Sequence, residues 1–132
     1  MGRPAYIDSS ALLKLVVAEA ETPALEADLA ARDGLITSWM SRLECRRAAR
    51  RSASRRVLQA VDAVLESVYL LDLSRTILHE AAALAPPALR TLDAIHLATA
   101  LSIGDRTLDV ITYDARLAEA ARASGLTVVQ PE

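Results

Sequence analysis

The chain has 132 residues, enough for one domain over 1–132, and 52% of them are apolar against 24% charged, the balance of an ordinary globular protein. With a net charge of −2, one Trp, three Tyr and no Phe, the whole molecule is no electrostatic magnet for nucleic acid and has few rings for bases to stack on. The lone Cys45 excludes a disulfide framework and a cysteine-based zinc cluster, and fits a reducing cytosol.

A short buried strand is expected over residues 5–8, ending on Asp8, then an amphipathic helix over 10–20 that contains "ALLKLVVAEA". Lys14 and Glu19 interrupt its apolar stretch, so it does not read as a secretory leader. A second helix over 23–32 starts at Pro23, a residue well tolerated in a first helical turn. "DGLITSW" reads as a turn and a strand over 34–38, and "SRLECRRAARR" as a helix. In that helix Ser41 and Glu44 match a capping box. "SRRVLQAVDAVLESV" continues helically, with Val57, Val61, Val64, Leu65 and Val68 on one face.

"YLLDLS" is a third strand and "RTILHEAAALA" a helix stopped by Pro86 and Pro87. A helix over 92–103 ends near Gly104; Asp93 and His96 within it argue against a membrane span. "LDVITYD" forms a fourth strand, "ARLAEAARAS" a helix ending at Gly125, and "LTVVQ" a fifth strand. The strands are apolar throughout and alternate with helices. That pattern predicts an α/β class: a three-layer α/β/α sandwich around a mainly parallel sheet of four to five strands. A soluble, cytoplasmic protein is expected.

Arg42, Arg46, Arg47, Arg50, Arg51, Arg55 and Arg56 crowd one stretch, and Lys14 is the only lysine. Such a local patch either guides a phosphate backbone or is a solvated helix face.

In an open α/β sheet, ligands bind outside the carboxyl ends of the strands. Asp8 and Asp114 each close a strand, Glu44 lies just beyond another, and Asp93 opens a helix. Taken singly, each reads as a cap or a helix-dipole partner. Asp72 closes a strand in the same way, and spacing alone does not separate it from the others. Taken together, two carboxylates about 5 Å apart repel by roughly 3 kcal/mol at an effective dielectric of 20. A converging set therefore calls for protons or a cation, and an oxygen-only set suits Mg²⁺ or Mn²⁺.

"YIDSSALLKLV", "SRLECRRA", "LDAIHLATAL" and "ITYDARLAEAA", in this order, resemble the PIN-domain family, and within it the VapC-type toxins of bacterial toxin–antitoxin pairs. The resemblance runs from Tyr6 to about Val129. It implies a PIN-like fold and places metal-binding acids at Asp8, Glu44, Asp93 and Asp114, while Asp72 lies outside the metal site. It further implies an endoribonuclease that uses Mg²⁺ or Mn²⁺ to hydrolyse structured cellular RNA. A homodimeric state and inhibition by a cognate protein antitoxin are implied as well. Ser9 and Thr112 either place hydroxyls at the rim for metal-bound water or phosphate or, the commoner role, make an N-cap or strand-end hydrogen bond. Arg46 and Arg47 are candidates to contact RNA or pair with the acids. His96, alone on an apolar helix, reads as a satisfied core residue.

Two other classes were weighed. A receiver-type or haloacid-dehalogenase-like phosphoryl-transfer domain fits poorly, because Lys14 lies inside the first helix and Ser10 stands where the latter would have an acid. A non-catalytic RNA- or protein-binding module would be favoured by a missing acid, and none is missing.

Overall fold

A computed structural model describes residues 2–132. Its elements run β1 (Ala5–Ile7), α1 (Ser9–Val16), α2 (Thr22–Ala30), β2 (Leu35–Ser38), α3 (Trp39–Ser52), α4 (Arg55–Glu66), β3 (Tyr69–Leu71), α5 (Arg75–Ala83), α6 (Thr91–Ser102), β4 (Asp109–Ile111), α7 (Ala115–Ala123) and β5 (Thr127–Val129). All five strands are parallel, in the order β3-β2-β1-β4-β5. β1 is therefore central. The chain moves outward from it through β2 to β3, then returns to place β4 on its other side.

β1 shows how the layers form. Alternate side chains of a strand leave by opposite faces. Ala5 and Ile7 join a core with Leu12, Leu25, Cys45, Ala49, Val61 and Leu65, from α1 to α4. Tyr6 points the other way, to Ala100, Leu108 and Val110. On that face α6 packs between α5 and α7. Helices thus cover both faces, as the apolar strands predicted. Among the described residues no helix is long and apolar enough to cross a membrane.

Several local readings need correction. The first helix stops at Val16, not at residue 20, and the break before α2 is closed by Thr22, whose hydroxyl donates to the Lys14 carbonyl at 2.8 Å. Helix α3 begins at Trp39 with Ser38 as its N-cap, accepting from the Met40 amide at 3.0 Å. Ser41 is no cap: its buried hydroxyl pairs with Thr37 at 2.6 Å, and Glu44 turns elsewhere. The helical run after α3 is not continuous either. Ala53 takes a left-handed conformation (φ 55°), and Ser54 caps a new helix.

At the N-terminal end of β4, Asp109 is held by Arg32 and by Arg3, whose Nη2 donates to Oδ2 at 3.1 Å. Arg32 is itself fixed by Asp28 through two bonds of 2.9 and 3.2 Å. This buried ion cluster ties the end of α2 to β4, far from the carboxyl ends of the strands.

Candidate active site

The strand order reverses between β1 and β4, so the crevice beyond their carboxyl ends is where a ligand site is expected. Asp8 stands at that point, only 3% exposed. It is the N-cap of α1, with Oδ1 accepting from the Ala11 amide at 3.1 Å and from the Ser10 hydroxyl at 2.7 Å. Thr112, one residue past β4, donates to Oδ2 at 2.6 Å. The same two hydroxyls accept backbone amides of the neighbouring strand end: Tyr113 N–H on Ser10 and Asp114 N–H on Thr112, each at 3.0 Å. Asp8 is thereby fixed to both β1 and β4. Burial nevertheless raises its pKa; the bond from Thr112, the nearby His96 and the donors Ser10 and Ala11 oppose that rise without cancelling it.

Asp93 arrives from the first turn of α6. Its Oδ2 is buried and, among the described residues, has no hydrogen-bond partner. Burial raises its pKa first, the charge of Asp114 second, and Asp8 adds a smaller push. Asp114 caps α7, with Oδ1 accepting from the amides of Arg116 at 2.9 Å and Leu117 at 3.3 Å.

Glu44 comes from α3, and its Oε1 lies 2.7 Å from His96 Nε2. A carboxylate only accepts, so Nε2 carries the proton. On the other side of the ring, Nδ1 meets the Tyr6 hydroxyl at 2.6 Å, and the two rings pack edge to face at 5.9 Å. In the neutral imidazole Tyr6 donates to Nδ1. Tyr6 and His96 are both buried, so one relay runs from the centre of the sheet to a carboxylate at the rim.

Cys45 reports on the same neighbourhood. Burial, then the charges of Glu44 and Asp8, push its thiol up to about 12, so it is a neutral core residue and not a nucleophile.

The sequence-predicted residues separate clearly. The charges of Asp114 and Asp8 both act on Asp93, and those of Glu44 and Asp8 both act on Tyr6 and Cys45. Among the described residues, however, no group of three or more His, Cys, Asp or Glu side chains is placed to hold a metal ion. Each acid is held by its own element: Asp8 by Ser10 and Thr112, Glu44 by His96, Asp114 by the α7 cap. Thr112 is at the rim as expected, but Ser10, not Ser9, is the serine that reaches Asp8. Arg46 turns to Asp62 on α4 and away from the acids. Arg47 instead lines a groove of about 330 Å³ with Glu44, Arg51 and Leu92. Asp72 is exposed just past the edge strand β3, where Ser74 caps the next helix. His96 is the satisfied core residue expected, buried with both ring nitrogens bonded; Ser10 and the partners Tyr6 and Glu44 of His96 were missed.

A divalent cation fits the chemistry of these donors. Asp93 Oδ2 is a buried anionic oxygen without a partner, which is costly unless a positive charge meets it. The other acids of the rim are carboxylates too, oxygen donors of the kind that suit Mg²⁺ or Mn²⁺.

The sequence profile of the PIN domain matches residues 5–123. The chain belongs to the PIN-domain family. Within it, the chain stands with the VapC-type proteins. It is 44% identical over 130 residues to Ribonuclease VapC35 of Mycobacterium tuberculosis and 40% identical over 132 residues to Ribonuclease VapC46 of the same species, in each case over 96% of both chains. Among solved structures, this PIN domain superimposes on a toxin–antitoxin complex from Klebsiella pneumoniae with a TM-score of 0.74 at 25% identity, over 97% of this chain and 98% of that one. The Mycobacterium tuberculosis toxin VapC20, described as cleaving the sarcin–ricin loop, shares the fold with a TM-score of 0.76 at 18% identity, over 96% of this chain and 99% of that one.

Proposed function

We propose that this PIN domain is a ribonuclease toxin that hydrolyses RNA phosphodiester bonds in the cytoplasm and is neutralised by a protein antitoxin. It works with Mg²⁺ or Mn²⁺ held by Asp8, Glu44, Asp93 and Asp114, and as a homodimer. The observation that carries the reading is the buried, unpartnered Asp93 Oδ2 on a residue within reach of the charges of Asp114 and Asp8. The near full-length likeness to VapC ribonucleases supports it.

Such an ion, when bound, supplies positive charge that acidifies water and offsets charge on the phosphate. The chain's own residues do the rest. Thr112 and Ser10 hold the Asp8 carboxylate in one orientation, and His96 holds that of Glu44. Asp114 uses Oδ1 for the α7 cap, which leaves Oδ2 free to hold the ion.

The test is cleavage of total RNA by purified, antitoxin-free protein with Mg²⁺ or Mn²⁺, with EDTA, and with Asp8→Asn. Asparagine preserves the α1 cap, so a folded variant is expected to lose metal-dependent cleavage. Cleavage that survives both EDTA and the substitution would sink the assignment.

A further inference from the structure

Arginines stand at the positive starts of four helices: Arg55 and Arg56 on α4, Arg75 on α5, Arg90 on α6 and Arg116 on α7. Of these, Arg90 and Arg116 share one groove. Arg90 is the N-cap residue of α6 and makes no capping bond with its side chain. Arg116 lies in the first turn of α7, directly after its Asp114 cap. The N-terminal end of a helix is its positive end, so a cation there repels the aligned peptide dipoles. Neither the Arg90 nor the Arg116 guanidinium is in an ion pair among the described residues, so both are free to meet an anion from outside the chain. Local conflicts of this kind gather at functional positions.

Both arginines open onto one groove of about 600 Å³, walled by Pro86, Leu89 and Ala120. Its location follows from the sheet. Along the rim, Glu44 and the groove holding Arg47 and Arg51 lie on the β2 side of Asp8. Arg116 follows β4, on the opposite side of Asp8, and Arg90 precedes Asp93 by one turn. The acids are therefore flanked by an arginine-bearing groove on each side.

We propose that the Arg90–Arg116 groove is the subsite that holds the RNA strand on the β4 side of the acids. The two guanidiniums grip a phosphate next to the scissile one, and the apolar wall takes the adjoining ribose and base. Planar guanidiniums match phosphate oxygens two at a time. The excess of cations over the single acid in the lining, Glu119, favours a polyanion over a neutral ligand. This inference rests on the ribonuclease reading.

The experiment uses a fluorescein-labelled single-stranded RNA of mixed sequence and fluorescence anisotropy, in the Asp8→Asn background so that the probe stays intact. Arg90→Gln/Arg116→Gln is compared with Arg106→Gln/Arg122→Gln, which removes the same charge elsewhere. The first pair is expected to weaken binding at least tenfold and to flatten the slope of log affinity against log salt by about 0.7, the equivalent of one single-strand phosphate contact. Its melting temperature is expected to hold or rise, because a repelled cation leaves each helix start. Unchanged affinity and slope, or an equal loss in the control pair, would overturn the subsite. If the two variants bind RNA normally but resist the antitoxin, the groove belongs to an acidic protein segment and the proposal fails. If the Asp8→Asn parent itself binds no RNA at low salt, the ribonuclease reading falls, and the subsite with it.

Discussion

Tyr6→Phe removes a single oxygen from the relay that ends on Glu44. The hydroxyl lies 2.6 Å from His96 Nδ1, and the histidine is only 2% exposed, so no water replaces it. A lost hydrogen bond accounts for about 1 kcal/mol, and a buried nitrogen left unpaired adds about 1–3 kcal/mol. The variant is therefore expected to lose about 3 kcal/mol. For 132 residues the unfolding entropy near 60 °C is about 0.28 kcal/mol/K, which turns that loss into a fall of about 10 °C in melting temperature. The second effect is on the rim. Without the Tyr6 hydroxyl on Nδ1, the ring that positions Glu44 is held on one side only, and metal-dependent cleavage falls with stability. Calorimetry and cleavage at a series of Mn²⁺ concentrations, below the variant's melting temperature, read the two effects separately. Tyr69→Phe is the control: Tyr69 is 67% exposed, and its loss is expected to stay within about 0.5 kcal/mol. A Tyr6→Phe protein that melts within 2 °C of wild type (roughly 0.6 kcal/mol on the same scale) and cleaves at the same rate would refute the relay.

Asp93→Asn is expected to stabilise the metal-free protein while abolishing cleavage. The folded-state pKa of Asp93 is raised by burial and by Asp114. Its contribution to stability is therefore full below the unfolded value of about 3.9 and is lost as pH rises through the folded value, at about 1.4 kcal/mol per unit of difference. Melting curves in EDTA from pH 3.5 to 8 should show wild type falling relative to Asp93→Asn as pH rises, and added Mn²⁺ should restore wild type alone. Parallel curves would show that the carboxylate is not strained. Arg32→Met leaves the Asp109 carboxylate, 2% exposed, with only the half-exposed Arg3 as a partner. A loss of about 3–5 kcal/mol is expected, with cleavage per folded molecule unchanged because β4 carries Asp109 and Thr112 at opposite ends. A denaturant midpoint equal to wild type would count against that account.

What was legible in the sequence was what neighbouring residues decide. The runs before Asp8 and Asp114 became β1 and β4 because an apolar stretch followed by a capping acid is a local signal, and both acids do cap the helices that follow. The same local logic failed at Ser41, which fits a capping box equally well. Ser38 took the cap instead, and Thr37, buried on β2, needed the Ser41 hydroxyl as a partner. Arg46 and Arg47 are adjacent in sequence, yet about 100° of helical rotation sends one to Asp62 and the other toward Glu44. The relay was out of reach for a different reason. Its members lie 90 and 52 positions apart, and only the order of the strands brings them together.

That order also governs when activity first becomes possible during translation. Asp8 leaves the ribosome early, but the Thr112 hydroxyl that orients it follows 104 positions later. At about 5–20 residues per second, the nascent chain carries an unsupported Asp8 for roughly 5–20 s. For nearly all of that interval the β4 side of β1 stays unpaired; Asp93 is added late in it, and Asp114 only after Thr112. A chain whose product is harmful is thus built so that no partial product holds the assembled rim, and an antitoxin already present has the whole of synthesis in which to be waiting.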